Sequence, residues 1–321
     1  MKKFLALILC VMALTFAASC EPVSNEKLTM MAPDGAPALA VAKIMNDGTV
    51  GGRSIDAQIV SGADEIAAKT RAGEADISVM PINIAAKLYN AGVDIKLVSV
   101  NVEGCLYMVG KTPVASLNDL VGKVVYNIGE GGTPDLTFRY ILQQNGIEYE
   151  LGETAVEGKV VLNYVAAAST LIPLLKKGDA EYGIMGEPAV TNCNAAAGTT
   201  TVLNIQDEWK KITGEDYTQA GVVVKAERAN DSTFMRALNK ALSQNEQWCK
   251  NNAADIKEII TSKGSSLTVN FDEDLITRCN IHYSSADDAK ANVEKYLNVL
   301  LSFDPSTIGG KLPDDGFYYG K

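Results

Sequence analysis

Two stretches of this 321-residue chain are written on one plan, and that plan limits the folds open to it. Lys27-Leu28-Thr29-Met30-Met31, followed by Gly35-Ala36-Pro37-Ala38-Leu39, answers to Lys123-Val124-Val125-Tyr126-Asn127 and then Gly132-Thr133-Pro134-Asp135-Leu136. Further on, Gly73-Glu74-Ala75-Asp76-Ile77-Ser78-Val79-Met80 answers to Gly178-Asp179-Ala180-Glu181-Tyr182-Gly183-Ile184-Met185, with Pro81 and Pro188 shortly after. Between these anchors each copy has an apolar run, Ile55–Val60 in one and Val160–Val165 in the other, then a loop of small residues and a helical pattern. Two motifs in the same order with similar spacing predict two lobes of one architecture.

Within the first copy the β-like runs Leu28–Ala32, Ile55–Val60, Ile77–Met80 and Ile95–Val100 alternate with helical patterns. That alternation calls for an α/β fold whose sheets are mainly parallel and flanked by helices. Gly-x-Pro before a helical pattern is a helix start, because proline fits the first turn without losing a needed N–H. Ligands of open parallel sheets collect beyond the carboxyl ends of the strands. A molecule held between two such lobes would therefore touch equivalent loops of both. By order along the chain, residues 27–111 with 218–321 form lobe 1 and residues 112–217 form lobe 2, with 21–26 as a linker. Ala220–Lys225 returns to lobe 1, and the helical patterns Ser232–Asn252, Asp255–Ser262 and Ala286–Phe303 are expected to pack there.

The amino terminus carries a different message. Met1-Lys2-Lys3 is a short positive start, Phe4 to Phe16 is almost wholly apolar, and Ala17-Ala18-Ser19 leads into Cys20. That layout predicts a secretory signal, and the cysteine after small residues predicts lipidation at Cys20. The mature protein is then an extracytoplasmic lipoprotein anchored to a bacterial cell membrane. The formal charge of −10 argues against nucleic acid as a partner. Past Cys20 the cysteines are Cys105, Cys193, Cys249 and Cys279, at spacings that form no C-x-x-C motif. Cys105, in an apolar strand-like run, reads as a buried free thiol, and Cys249 with Cys279 is the one pair considered for a disulfide.

The residues after these strands resemble those of a known family. Ala32-Pro33-Asp34-Gly35-Ala36-Pro37, Met80-Pro81-Ile82-Asn83-Ile84-Ala85 and Gly122-Lys123-Val124-Val125-Tyr126 carry the likeness, as do Gly129-Glu130-Gly131-Gly132-Thr133-Pro134-Asp135 and Met185-Gly186-Glu187-Pro188. In this order they are similar to the substrate-binding lipoproteins of nitrate/sulfonate/taurine-type ABC importers, a family that includes receptors for thiamine-precursor pyrimidines. The resemblance implies a two-lobed periplasmic-binding-protein fold (class II), a small-molecule ligand in the cleft, and an ABC permease and ATPase as partners. It implies no cofactor and no metal, and a monomer. Carried over position by position, it marks Asp34, Ala36, Ser61, Gly62, Pro81 and Asn83 on lobe 1 as ligand-binding. On lobe 2 it marks Asn127, Gly129, Gly132, Thr133, Tyr164, Ala166, Gly186 and Glu187, with Asn101 and Glu103 at the hinge.

The strand-end loops carry Asp34, Asp64, Glu103, Glu130, Asp135 and Glu187 and scarcely a Lys or Arg. An anion would find a poor site among them. A neutral or cationic ligand with N–H donors, such as a heteroaromatic amine, is expected instead, with Asn83 or Asn127 as further acceptors. Tyr107, Tyr126 and Tyr164 are candidates to stack on a flat ligand. The alternative is a cleft enzyme, a lyase or pyrimidine-related, using Asp34 and Glu187. Against it, His282 is the one histidine, and the chain has no G-x-S-x-G and no G-x-x-x-x-G-K loop.

Overall fold

The computed structural model describes residues 26–320; the signal-like segment and Cys20 lie outside them. The chain opens with β1 (Lys27–Pro33), α1 (Ala36–Leu39), α2 (Ala42–Asp47), β2 (Thr49–Val50), β3 (Arg53–Val60), α3 (Ala63–Arg71), β4 (Ile77–Pro81), α4 (Ile82–Asn90) and β5 (Ile95–Glu103). It then builds β6 (Leu106–Gly110), β7 (Val124–Ile128), α5 (Thr133–Gln144), β8 (Tyr149–Leu151), β9 (Val160–Val165), α6 (Ala168–Lys177), β10 (Tyr182–Gly186), α7 (Ala189–Ala197), β11 (Thr200–Asn204) and α8 (Ile205–Thr213). It closes with β12 (Thr218–Lys225), α9 (Ala226–Ala229), α10 (Ser232–Asn251), α11 (Ala253–Thr261), α12 (Glu273–Arg278), β13 (Ile281–Ser285) and α13 (Ala286–Phe303).

These strands form two sheets, ordered β13-β5-β12-β4-β1-β3-β2 and β11-β6-β10-β7-β9-β8. The inner strands β1 and β4 bury almost every side chain, as strands covered by helices on both faces must. Both sheets are mixed: three of the five strand pairings are parallel in the second, as expected, and two of the six in the first. Parallel pairs join β4-β1-β3 in one sheet and β10-β7-β9-β8 in the other, while β12 runs antiparallel to both β4 and β5. The reason is the path of the chain. β5 leaves the first sheet at the cleft end, so the returning β12 enters there and must run the other way.

The chain changes sheets between Glu103 and Leu106, earlier than residue 111: Leu106–Gly110 pairs with β10 and β11 of the second sheet. Gly104 permits the early crossing. Its N–H donates to the Tyr217 carbonyl of the returning segment at 3.1 Å. A Cβ there would lie 2.7 Å from Gln206 and 2.8 Å from the Tyr217 ring.

The carboxy-terminal helices do more than cover the first sheet. Tyr296 and Phe303 of α13 join Trp209 of α8, Tyr140 of α5 and Tyr217, with ring centroids 5.2 to 6.0 Å apart. Trp209, Tyr217 and Tyr296 are fully or nearly buried, so this side of the molecule is one continuous apolar core shared by both lobes. Phe317 and Tyr318 fold the tail back onto β5, where Tyr318 bridges Leu97. Cys105, Cys193, Cys249 and Cys279 are free thiols, all buried, so the considered Cys249–Cys279 disulfide is not formed. Burial pushes the Cys105 and Cys249 thiols up to about 12, which keeps them protonated.

Candidate functional site

The opening turns of α1, α3, α5 and α6 all meet at one cavity between the two sheets, enclosing about 400 Å³. The repeat explains the convergence: each parallel strand ends here, and each following helix starts here. The N-caps Gly62, Gly132 and Ala167 of α3, α5 and α6 make no side-chain cap bond, which leaves first-turn N–H groups open to whatever fills the space. Pro37 and Pro134 occupy the equivalent first-turn positions in the two copies and face the same cavity.

Asp34, Ala36, Ser61, Gly62 and Pro81 from the first lobe line this cavity, and so do Gly129, Gly132, Thr133, Ala166, Gly186 and Glu187 from the second. Asn83, Asn101, Glu103, Asn127 and Tyr164 do not, each for a visible reason. Asn83 is buried and spans the lobes, donating to the Gly131 carbonyl at 3.1 Å and accepting from the Thr133 hydroxyl at 3.3 Å. Asn127 holds the start of α5 through the Pro134 carbonyl at 3.1 Å. The Tyr164 hydroxyl donates to Asp135 at 2.6 Å; burial and that carboxylate push it well above the usual phenol range. Asn101 accepts from the Ser99 hydroxyl at 2.6 Å beneath the hinge. Glu103 lies beside His282, Oε1 to Nε2 3.5 Å, and burial raises its carboxyl to about 8.

The polar groups that do line the cavity are largely engaged. Asp34 accepts from the Ser265 hydroxyl at 2.6 Å, the Ser266 N–H at 2.8 Å and the Ser266 hydroxyl at 2.7 Å. Glu187 accepts from the Thr191 N–H at 3.0 Å, the Thr191 hydroxyl at 2.9 Å and Nε of Arg278 at 3.2 Å. A carboxylate has about four lone-pair sites, so each keeps roughly one for a ligand. The two differ in charge balance: Glu187 is paired with a guanidinium, whereas the donors to Asp34 are neutral serine groups. Acid–base catalysis by this pair would compete with those internal bonds, which disfavours the enzyme alternative.

The rest of the lining is glycine, alanine, proline and a few aliphatic side chains, among them Leu106, Ile128, Ile172 and Leu267. Among the described residues no aromatic ring and no Lys or Arg is part of it. The tyrosines expected to stack are not part of the lining: Tyr107 and Tyr126 pack against a buried apolar cluster, and Tyr164 is held by Asp135.

Sequence reasoning missed Gln219, Asn192 and the segment after α11. Gln219 lines the floor and accepts from the Cys105 N–H at 3.1 Å. Residues 262–272 form a strap along the cleft: Gly264, Ser266 and Leu267 line the cavity, and Thr268 donates to Asn192 of the other lobe at 2.7 Å through its hydroxyl. The run Lys263-Gly264-Ser265-Ser266 between two helical patterns was the available signal. Nothing local says that it folds back 231 residues in sequence to reach Asp34.

No family model matches the chain, and no curated protein matches it. Solved structures do. An ABC transporter protein from Parabacteroides distasonis is 25% identical, with a TM-score of 0.74 over 92% of this chain and 99% of that one. The periplasmic nitrate-binding protein of Synechocystis PCC 6803 is 14% identical, with a TM-score of 0.66 over 88% of this chain and 82% of its own. The alkanesulfonate-binding protein of Xanthomonas axonopodis pv. citri, solved with MOPS bound, is 12% identical, with a TM-score of 0.62 over 94% of this chain and 98% of its own. The chain therefore has the two-lobed α/β fold of ligand-binding components of ABC importers.

Proposed function

We propose that the protein is an extracytoplasmic receptor, tethered through lipid on Cys20, that hands a small molecule to an ABC permease and its ATPase. The observation that carries the reading is the single cavity built from equivalent strand-end loops of both lobes. At about 400 Å³ it has the size of a small-molecule site. The ligand contacts are Asp34, Ala36, Ser61, Gly62, Pro81, Gly129, Gly132, Thr133, Ala166, Gly186 and Glu187, with the missed Gln219 and Ser266.

The ligand is neutral or cationic and carries N–H donors, such as a heteroaromatic amine. The spare lone pairs on Asp34 and Glu187 support this, as does an apolar wall without a cation. Ring or carbonyl acceptors on the same molecule would meet the open N–H groups at the helix starts. The test is a thermal-shift panel on residues 21–321 that includes heteroaromatic amines, nitrate and alkanesulfonates. A ligand at a hundred times its Kd adds about 2.7 kcal/mol, a rise of several degrees. A rise with amine-bearing compounds is expected, and a rise confined to nitrate or sulfonates would overturn the ligand assignment. Lipidation is tested by mass spectrometry of the amino-terminal peptide of the membrane fraction. A diacylglyceryl mass on Cys20 supports the anchor, and an unmodified Cys20 contradicts it.

A further inference from the structure

Gly62 occupies the N-cap of α3 on the first lobe with φ −168° and ψ −177°, extended backbone that any residue can adopt. Its glycine character is therefore not required by its own conformation. It is required by what stands opposite. A Cβ built on Gly62 would lie 2.9 Å from the Ala166 carbonyl oxygen, which belongs to the second lobe. Ordinary carbon–oxygen contacts of this kind sit at about 3.3–3.6 Å. The obstacle is backbone and cannot rotate away, so a side chain at residue 62 would have to move one lobe against the other by about half an ångström.

We propose that Gly62 is the closure stop of the cleft, and thereby a specificity-determining residue: its missing side chain lets the two lobes meet at Ala166 and fixes the volume left for the ligand. The contacts that hold the closed arrangement are nearby and already near their limits. The Thr133 hydroxyl reaches Asn83 at 3.3 Å, and Arg278 reaches Glu187 at 3.2 Å. The Thr268 N–H reaches Asn192 at 3.2 Å. A half-ångström separation stretches these three beyond the usual range of about 3.2 Å, and it lengthens the Asn83–Gly131 bond from 3.1 Å and the Thr268 hydroxyl–Asn192 bond from 2.7 Å. One methyl at residue 62 thus acts on the whole rim. The shared aromatic core around Trp209 stays closed on the far side, so the lobes part at this edge.

The proposal rests on the receptor reading for its purpose, but its readout needs no ligand. Spin labels are placed on Lys176→Cys and Asp255→Cys, exposed helical positions on either lobe; the four native thiols are buried and stay unlabelled. Pulsed electron–electron resonance then gives the interlobe distance distribution for residues 21–321 with Gly62, Gly62→Ala and Gly62→Leu. The Gly62 protein is expected to show a population at the distance of the closed arrangement. Gly62→Ala should reduce that population several-fold, Gly62→Leu should eliminate it, and Asp64→Leu, two residues on at an exposed position of α3, should leave it unchanged. Urea midpoints check that the variants are folded. A closed population that survives in Gly62→Leu, or that never occurs with Gly62, overturns the proposal. A protein that closes and responds to Gly62→Leu yet stabilises with no compound of the panel would leave the stop standing and count against the receptor reading alone.

Discussion

Glu103 and His282 at the hinge make the stability of this protein depend on pH in a way that can be worked out from their surroundings. Burial, reinforced by Asp216, raises the Glu103 carboxyl from 4.5 to about 8. Burial lowers the His282 imidazole below its ordinary 6.5, and Glu246 opposes this only in part. For the carboxyl, the folded chain holds a proton that the unfolded chain has released, so its stabilisation is lost as pH rises from 4.5 towards 8. For the imidazole, the unfolded chain gains a proton below 6.5 that the folded chain resists, so its stabilisation is lost as pH falls below 6.5. Each proton of difference is worth about 1.4 kcal/mol per pH unit. The two slopes offset each other on the acid side of 6.5, and Glu103 acts alone between 6.5 and 8. Over that interval stability should fall by about 2 kcal/mol, or roughly 5 °C in Tm. The buried thiols of Cys105, Cys193, Cys249 and Cys279 are raised as well and add a fall of their own as pH approaches 9, at the upper edge of this window and in parent and variant alike. The assay is urea unfolding at constant ionic strength from pH 5 to 8.5 on the parent and on Glu103→Gln. The variant, neutral throughout, should lose the fall above 6.5 and show a rise up to it. An undiminished fall in Glu103→Gln, or a flat parent profile, would refute the assignment.

Other expectations can be checked alongside. Trp209→Ala removes the centre of the aromatic cluster that joins the lobes and should cost about 3–5 kcal/mol in urea unfolding. Arg278→Ala leaves the buried Glu187 carboxylate without its guanidinium and should cost about 1.5–3 kcal/mol, most of it recovered in Arg278→Ala/Glu187→Gln. The four buried thiols should stay unreactive to a thiol-specific chromogenic reagent in the native protein and all react in denaturant. Asp231→Ala removes the N-cap of α10, whose carboxylate accepts from Thr233 and Phe234, and should cost about 1 kcal/mol.

The parts of the fold legible in the sequence are those written locally. Val160–Val165 and Ala286–Phe303 are found at the residues where apolar patterning places them, because strand and helix burial leave period-specific traces. Gly-x-Pro marked two helix starts at the cavity for the same reason. What the sequence concealed depends on long-range geometry. β12 reads as an ordinary apolar strand, and its antiparallel direction follows only from where the chain re-enters the sheet. Ile281–Ser285 is too short and too polar to announce the edge strand it forms. Among the site residues, Asn83 and Asn127 looked like ligand acceptors because the resemblance places them at the cleft ends of strands. The structure spends them on crossing the cleft and bracing α5, a choice set by neighbours from other parts of the chain. Asp34 was legible as a cleft residue, but its serine partners in the strap were not.

The central claim is that the cavity between the lobes holds a small molecule, and native mass spectrometry of residues 21–321 tests it most directly. The comparison is with Ser169→Trp, which places the largest side chain on an exposed lining position in the first turn of α6. The account expects a small-molecule adduct, either co-purified or added from the stabilising compounds of the panel, on the parent protein. It expects that adduct to vanish from Ser169→Trp while the unliganded urea midpoints of the two proteins agree. The same adduct on both proteins would put the ligand elsewhere. A parent protein that holds no compound, under conditions where its fold is intact, would contradict the receptor reading.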